Sequence, residues 1–333
     1  MLHLRLIVPT ERADDVVDHL CAEPAVALVT RDRGVAVEPP GDLVTADIAR
    51  EAADRIIGDL RRFGIEHDGS ITLDPIDISL SDAAMRAEAA TPGLEGDSIV
   101  WEEVEAHARE LAAPTPSFFL FMALAALIAA CGIIVDSPVL IVGAMVIGPD
   151  FGPIAALCAA LVKFRPSRVA RAASTLVLGL AASVLASAGL TLLFRATDIV
   201  SGDFELSQRG LTSFISHPDL ISVVVALAAG VAGMLTITED RAEALVGVLV
   251  SVATIPAAAN IGVAVALHNG PEVWGSTVQL AMNVVGLVVA GTITLAVQWR
   301  LWRRLQGDDR GPVRPRRTPM APGRPRELRP RGR

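Results

Sequence analysis

Polar and apolar positions divide the chain into two unlike stretches. Up to residue 113 the pattern is short-range. Leu2, Leu4 and Leu6 alternate with His3 and Arg5, which predicts a strand ending at Pro9. Ala13, Val16, Val17 and Leu20 follow Thr10 at helical spacing and predict a helix. Ala25–Thr30 reads as a second strand, broken by a turn at residues 31–34 (RDRG), with Val35–Val37 as its hairpin arm. Leu43–Ile48 predicts a third strand. Arg50–Phe63 predicts an amphipathic helix striped by Ala53, Ile56, Ile57, Leu60 and Phe63, and Gly64 stops it. Ile65–Ile78 holds a last predicted strand, around Ser70-Ile71-Thr72-Leu73. The order β-α-β-β-α-β predicts a ferredoxin-like α+β domain over residues 1–78. Residues 79–116 predict a helical connector, split at Thr91-Pro92-Gly93, with Trp101 as a packing anchor or a cover over the domain below.

Beyond residue 116 apolar runs dominate. Six spans can be placed, at Ser117–Val135, Pro138–Val162, Ala172–Phe194, Leu220–Thr238, Ala244–Leu267 and Ser276–Gln298. Each is long enough to cross a bilayer with some tilt. The predicted fold is thus an α-helical polytopic membrane domain over 117–299 behind the α+β domain. Residues 300–333 predict an Arg/Pro-rich disordered tail lying along anionic lipid, or one that only fixes topology.

Span two contains GAMVIGPDFGP (143–153), with Asp150 twelve residues from each end of the apolar run. Helix breakers at that depth need neighbouring protein or a water-filled cavity to satisfy the freed backbone. An ionisable group there is a functional-site hypothesis. The competing reading is a kinked structural helix whose Asp faces a wet surface. A re-entrant hairpin turning at Gly148-Pro149 also fits the pattern, but the cations that follow favour a full, interrupted crossing.

Composition supports this division: 52% of the 333 residues are hydrophobic and the mean hydropathy is +0.49. The first 113 residues carry 24 acidic and 10 basic side chains. Such a domain repels phosphates, so nucleic acid is not an expected partner. Lys163, Arg165, Arg168 and Arg171 lie between spans two and three, and the Arg-rich tail follows span six. The positive-inside rule then predicts a multi-pass protein of the bacterial plasma membrane with both termini cytoplasmic. The start of the chain does not read as a signal peptide. Cys21, Cys131 and Cys158 are scattered, and no Cys/His cluster predicts a disulfide framework, a metal or a cofactor.

The two membrane halves look related. At an offset of 104 residues Asp136 meets Asp240 and Val142-Gly143 meets Val246-Gly247. At 103, Pro153 meets Pro256 and the ALAA at 123–126 meets that at 226–229. Three spans separate the copies, which predicts an inverted 3+3 repeat. Paired interrupted spans in such halves point to a transporter's midplane site. The candidate site is therefore Gly148, Pro149, Asp150, Gly152 and Pro153 with Thr254, Pro256, Asn260 and Asn283. Asn283 serves equally as an interhelical hydrogen-bonding residue.

DSPVLIVGAMVIGPDFGPI (136–154), VALAAGVAGM (225–234) and VGVLVSVATIPAAANIGVA (246–264) resemble the bacterial hydrophobic membrane family called domain of unknown function 389, in its actinobacterial type. The resemblance implies the architecture and no assigned activity. It also implies an apolar residue at the position of Asp150 in many relatives.

An enzyme is not expected. Intramembrane aspartyl proteolysis needs two carboxylates at depth, His217 and His268 fall at span ends, and no HExxH is present. The expected function is a transporter or channel for a small solute or ion with a cytoplasmic regulatory domain. The alternative is a membrane-anchored sensor or scaffold whose N-terminal domain binds a ligand or partner. The lipid bilayer is the partner the sequence implies, and a homo-oligomer is left open.

Overall fold

Leu2, Leu4, Leu6 and Val8 are all buried along β1 (Leu2–Val8), which lies inside a four-stranded sheet of order β2-β3-β1-β4. The computed structural model describes residues 1–76, 79, 81–91, 104, 106, 108–110, 112–199, 212, 215, 216, 219–238 and 254–307, with side chains as far as Leu301. The other strands are β2 (Val26–Val37), β3 (Pro40–Ile48) and β4 (Ser70–Pro75), and every pairing is antiparallel. Helices α1 (Thr10–Ala22) and α2 (Ala53–Arg62) bring Val16, Leu20, Ile56 and Leu60 into the same core as Leu4 and Leu6. The one-turn α3 (Ile65–Asp68) precedes β4, and α4 (Asp82–Ala89) packs on β2 and β3.

Two local expectations change. Residues 31–34 are not a turn: β2 runs through them, and the reversal comes at residues 38–39. Gly34 takes a left-handed φ of +65° within a register shift between Asp32 and Ala36, so the glycine serves a bulge. The helix expected from Arg50 opens as a 3-10 turn (Arg50–Ala52), and α2 proper starts at Ala53. The strand expected around Ser70–Leu73 is present as β4, and the residues before it form α3.

The membrane part comprises α5 (Pro116–Ile134), α6 (Pro138–Ile147), α7 (Phe151–Val162), α8 (Pro166–Ala196), α9 (Leu220–Thr238), α10 (Thr254–Ala266) and α11 (Gly270–Gly307). Four of these, α5, α8, α9 and α11, are long and apolar enough to cross a bilayer. The pair α6 and α7, bent by 53°, makes a fifth if it counts as one span. At 1.5 Å per residue the two halves together extend about 33 Å, close to the hydrocarbon thickness. The fifth expected span, Ala244–Leu267, is represented by the 13 residues of α10. Residues 244–253 of that span lie outside the described residues, as do Trp101, Arg209, His217, Asp240, Gly247 and residues 308–333.

The helices present apolar side chains outward: Phe121, Val139, Val177, Leu185, Val224 and Ile293 are all exposed. Polar groups go inward instead. Ser183, Ser187 and Thr191 are fully buried on α8 and donate to carbonyls three or four residues back or across to Met122. That distribution suits lipid rather than water as the surrounding solvent. Helix α10 sits at the centre, with eleven of its thirteen residues buried. Its small side chains permit close approach: a Cβ on Gly262 would lie 2.9 Å from Ala188 N of α8. Gly230 and Gly286 serve the contact of α9 with α11 in the same way, as expected of packing glycines.

Hydrogen bonds tie like ends of the bundle together. Arg195 donates to the Ala266 carbonyl at 2.8 Å, and Asp136 accepts from the Thr212 amide (2.9 Å) and hydroxyl (2.7 Å). At the other end Gln298 donates to Thr238 at 3.1 Å. This is the pairing that alternating up and down helices produce.

Candidate functional site

The break in span two is built by three residues. Pro149 has no N–H to give the Met145 carbonyl four residues back, so α6 stops. Gly148 caps it in an extended conformation (φ −76°, ψ 128°). Asp150 then opens α7 as its N-cap residue, where the partial positive charge of the helix start favours a carboxylate. Gly152 and Pro153 are buried in the first turn of α7, where a proline costs no intrahelical bond.

The start of α10, where the sequence predicts the second break, lies against the first. Thr254 donates its hydroxyl to Asp150 Oδ2, and both residues are buried. A Cβ on Gly148 would run into the Ile255 side chain, so the glycine exists for this contact. Pro256 is the third residue of α10 as Pro153 is the third of α7. Asp150 with Thr254 and Gly148 with Ile255 thus form one buried junction, Gly152, Pro153 and Pro256 are buried in the adjoining helix starts, and Pro149 is half-buried.

Asn260 and Asn283 do not join it through any hydrogen bond described. Asn260 lies six residues along α10 from Thr254, about 9 Å on the helix axis. Its amide donates to Glu272 Oε2 (3.1 Å) and Ser276 Oγ (2.7 Å) of α11. Asn283 accepts from Gln279 Nε2 at 3.3 Å. Glu272, Ser276, Gln279 and Asn283 are all buried and share one face of α11 at helical spacing, about 16 Å from end to end. No described residue satisfies Gln279 Oε1.

Glu272, Ser276 and Gln279 are the residues that sequence reasoning missed. Placing the start of span six at Ser276 left Glu272 in a loop, whereas α11 begins at Gly270. The signal was present: stepping back from Asn283 by helical intervals lands on each of them.

A buried carboxylate, a hydroxyl and interrupted backbone can exchange a proton or replace part of a cation's hydration shell. In the soluble domain, His19, Glu23 and Asp59 offer three ligand atoms within 4.8 Å of one another. They come from α1, the residue after it and α2, so no short motif signalled them. Arg55 pairs with Glu23 at 2.7 Å and Arg62 pairs with Asp59, which makes the group an ion-pair cluster as it stands.

Residues 145–289 match the family model described as Domain of unknown function (DUF389), which bears out the resemblance over that stretch. Every membrane residue of the candidate site falls within it, and the sheet domain falls outside. An uncharacterized protein of Methanocaldococcus jannaschii is 21% identical over 217 residues, 63% of this chain and 64% of that relative. The chain therefore spans less than two thirds of the length of the curated relative it matches. No solved structure matches. With its apolar helices the chain reads as a multi-pass membrane protein, and its residues 145–289 are similar to a family without an assigned activity.

Proposed function

We propose that this protein is a transporter or channel for a small solute or ion, with its membrane-depth site at the junction of the two helix breaks. The observation that carries the reading is the hydrogen bond from Thr254 to Asp150, which joins the break in span two to the start of α10, 104 residues on. That separation equals the offset relating Asp136 to Asp240, so the two residues occupy corresponding positions of the inverted 3+3 repeat. Residues near a pseudo-two-fold axis meet their own counterparts, and transporters of this construction bind substrate there. The polar row from Asn260 to Asn283 supplies the approach from the end where α11 begins.

In this reading the protein crosses the plasma membrane six times with both termini cytoplasmic. The sheet domain is ferredoxin-like, which its element order and β2-β3-β1-β4 strand order support, and it regulates the membrane part. No catalytic step, cofactor or nucleic acid enters.

The test is flux in proteoliposomes, read as proton uptake and as uptake across a panel of monovalent and divalent cations. Asp150→Asn is expected to abolish coupled flux while the protein stays folded. Unchanged flux would remove Asp150 from the mechanism. A second reading, a membrane-anchored sensor or scaffold, is favoured by the close packing of Asp150, Pro256 and Asn260. It would be chosen if wild-type protein moved none of these ions and Asp150→Asn left its assembly state and stability unaltered.

A further inference from the structure

His19 lies in the last turn of α1, Glu23 closes that helix four residues on, and Asp59 reaches them from α2. One ligand atom from each lies within 4.8 Å of the other two. His19 Nε2 and Asp59 Oδ2 are 3.0 Å apart. That is close to the spacing of two neighbouring ligands bound to one ion at about 2.1 Å. All three side chains are partly buried, so an ion can enter from water and keep water on its open side.

Ion pairing accounts for the carboxylates but not for the histidine. Its Nε2 is buried and makes no hydrogen bond, although the Asp59 oxygen is near. A buried ring nitrogen without a hydrogen bond costs free energy, and an ion on its axis removes that cost. The ring packs tilted against Phe63, with centroids 5.6 Å apart, which fixes the direction in which the nitrogen points. Arg55 and Arg62 reach Glu23 and Asp59 from outside, and their own side chains are 42% and 77% exposed. Surface pairs of this kind hold weakly, so a divalent ion can displace them while both arginines turn into water. Two carboxylates then balance one ion of charge +2. An imidazole in the set disfavours calcium and magnesium, which take oxygen ligands, and suits zinc and its neighbours among the transition metals.

We propose that His19, Glu23 and Asp59 bind a divalent transition-metal ion that ties the end of α1 to α2 in the soluble domain. The site draws on no membrane residue, so the inference survives a failure of the transport reading.

The experiment uses the untagged full chain, stripped with a chelator in detergent and titrated calorimetrically with zinc, magnesium or calcium. Wild type is expected to bind zinc saturably and neither of the other ions at the same concentrations. Losing even an outer partner of a metal ligand costs about 10–100-fold in affinity, so His19→Gln should weaken zinc binding by about a hundredfold or more. Glu23→Gln should weaken it by at least about tenfold, and it carries the test if His19→Gln does not fold. Arg55→Gln/Arg62→Gln removes the competing cations and should tighten zinc binding by about two- to thirtyfold, which a merely structural cluster would not do. Cys21→Ser removes the exposed thiol of α1 and should leave the affinity unchanged. No saturable zinc binding by wild type, equal affinity in wild type and His19→Gln, or magnesium binding as tight as zinc would overturn the proposal. So would a loss in Cys21→Ser equal to that in His19→Gln, or weaker binding in the double arginine variant.

Discussion

Thr254 and Asp150 are the pair on which the membrane reading turns, and their hydrogen bond can be weighed by itself. The carboxylate sits where water is scarce, so losing a donor costs more there than at a surface. Thr254→Val keeps the shape and removes the hydroxyl, and it should lower stability by about 1–3 kcal/mol. If the contact is direct, the double variant with Asp150→Asn should cost less than the sum of the singles, with a coupling of about 0.5–3 kcal/mol. Thermal denaturation of the four proteins in detergent reads this, and additivity would show that the two side chains act independently. Asp42 in the soluble domain follows a different logic. It is fully buried yet charged, accepting from the Gly34 amide (2.9 Å), Arg31 Nε (2.8 Å) and Thr10 Oγ1 (3.1 Å). The Gly34 amide, with Arg31 and Thr10, holds its carboxyl below the usual carboxylate range against the opposing effect of burial. A folded-state value below the unfolded one means that the stabilisation is complete above the unfolded value of about 3.9. It is lost as pH falls through the folded value. The Gly34 amide should therefore stay protected from hydrogen exchange at neutral pH and lose protection only in acid below about pH 4. In Asp42→Asn, protection should already be weaker at neutral pH.

At the scale of elements, α10 shows why close packing and hydropathy are separate properties. A Cβ at Gly262 would meet the backbone of α8 at Val184 and Ala188, and backbone cannot rotate aside. Gly262→Ala should therefore force α8 and α10 apart, at a cost of about 1–3 kcal/mol or more. Gly143→Ala in α6, where nothing lies within 4 Å of the added atom, should be neutral or stabilising by up to about 1 kcal/mol. Equal melting temperatures for the two variants would refute this account of the α8–α10 contact. The same helix marks the boundary of what could be read beforehand. The break at Gly148–Pro153 was legible because Gly, Pro and Asp leave a clear trace in an apolar run. Its partner at Thr254–Pro256 was legible because the trace recurs at nearly the same offset. The repeat paired the two breaks in one site, but the particular contact of Thr254 with Asp150 was not legible, since nothing local says which side chains will meet. The polar face of α11 escaped because Glu272, at the very start of its helix, resembles a loop residue. Hydropathy likewise cannot separate lipid-facing from protein-facing apolar residues, so it did not show that α10 would be the buried helix at the centre. The expected turn at residues 31–34 failed for a related reason: a glycine with positive φ serves a turn and a bulge equally well, and only the pairing of β2 with β3 decides.

For the whole molecule the open choice is whether α6 and α7 cross the bilayer or return to the side they came from. The two cases give opposite orientations to everything after Val162. The crossing case follows from the ends. Ala266 at the end of α10 receives Arg195 from the end of α8, and Asp136, between α5 and α6, receives Thr212. If α8 starts on the cytoplasmic side with Arg168 and Arg171, its far end is outside, and so is Arg195. Val135 and Ile199 should then share the outer face, and Phe164 should lie inside. All three side chains are exposed, at 64%, 66% and 91%, so each accepts a cysteine without repacking. In a background with Cys21, Cys131 and Cys158 replaced by alanine, Val135→Cys and Ile199→Cys should react with a membrane-impermeant maleimide added to intact cells. Phe164→Cys should react only after permeabilisation. Labelling of Val135→Cys and Phe164→Cys from the same side would make the bent pair re-entrant. The Asp150–Thr254 junction would then be the floor of a vestibule rather than a midplane site, and the repeat argument would lose its inversion.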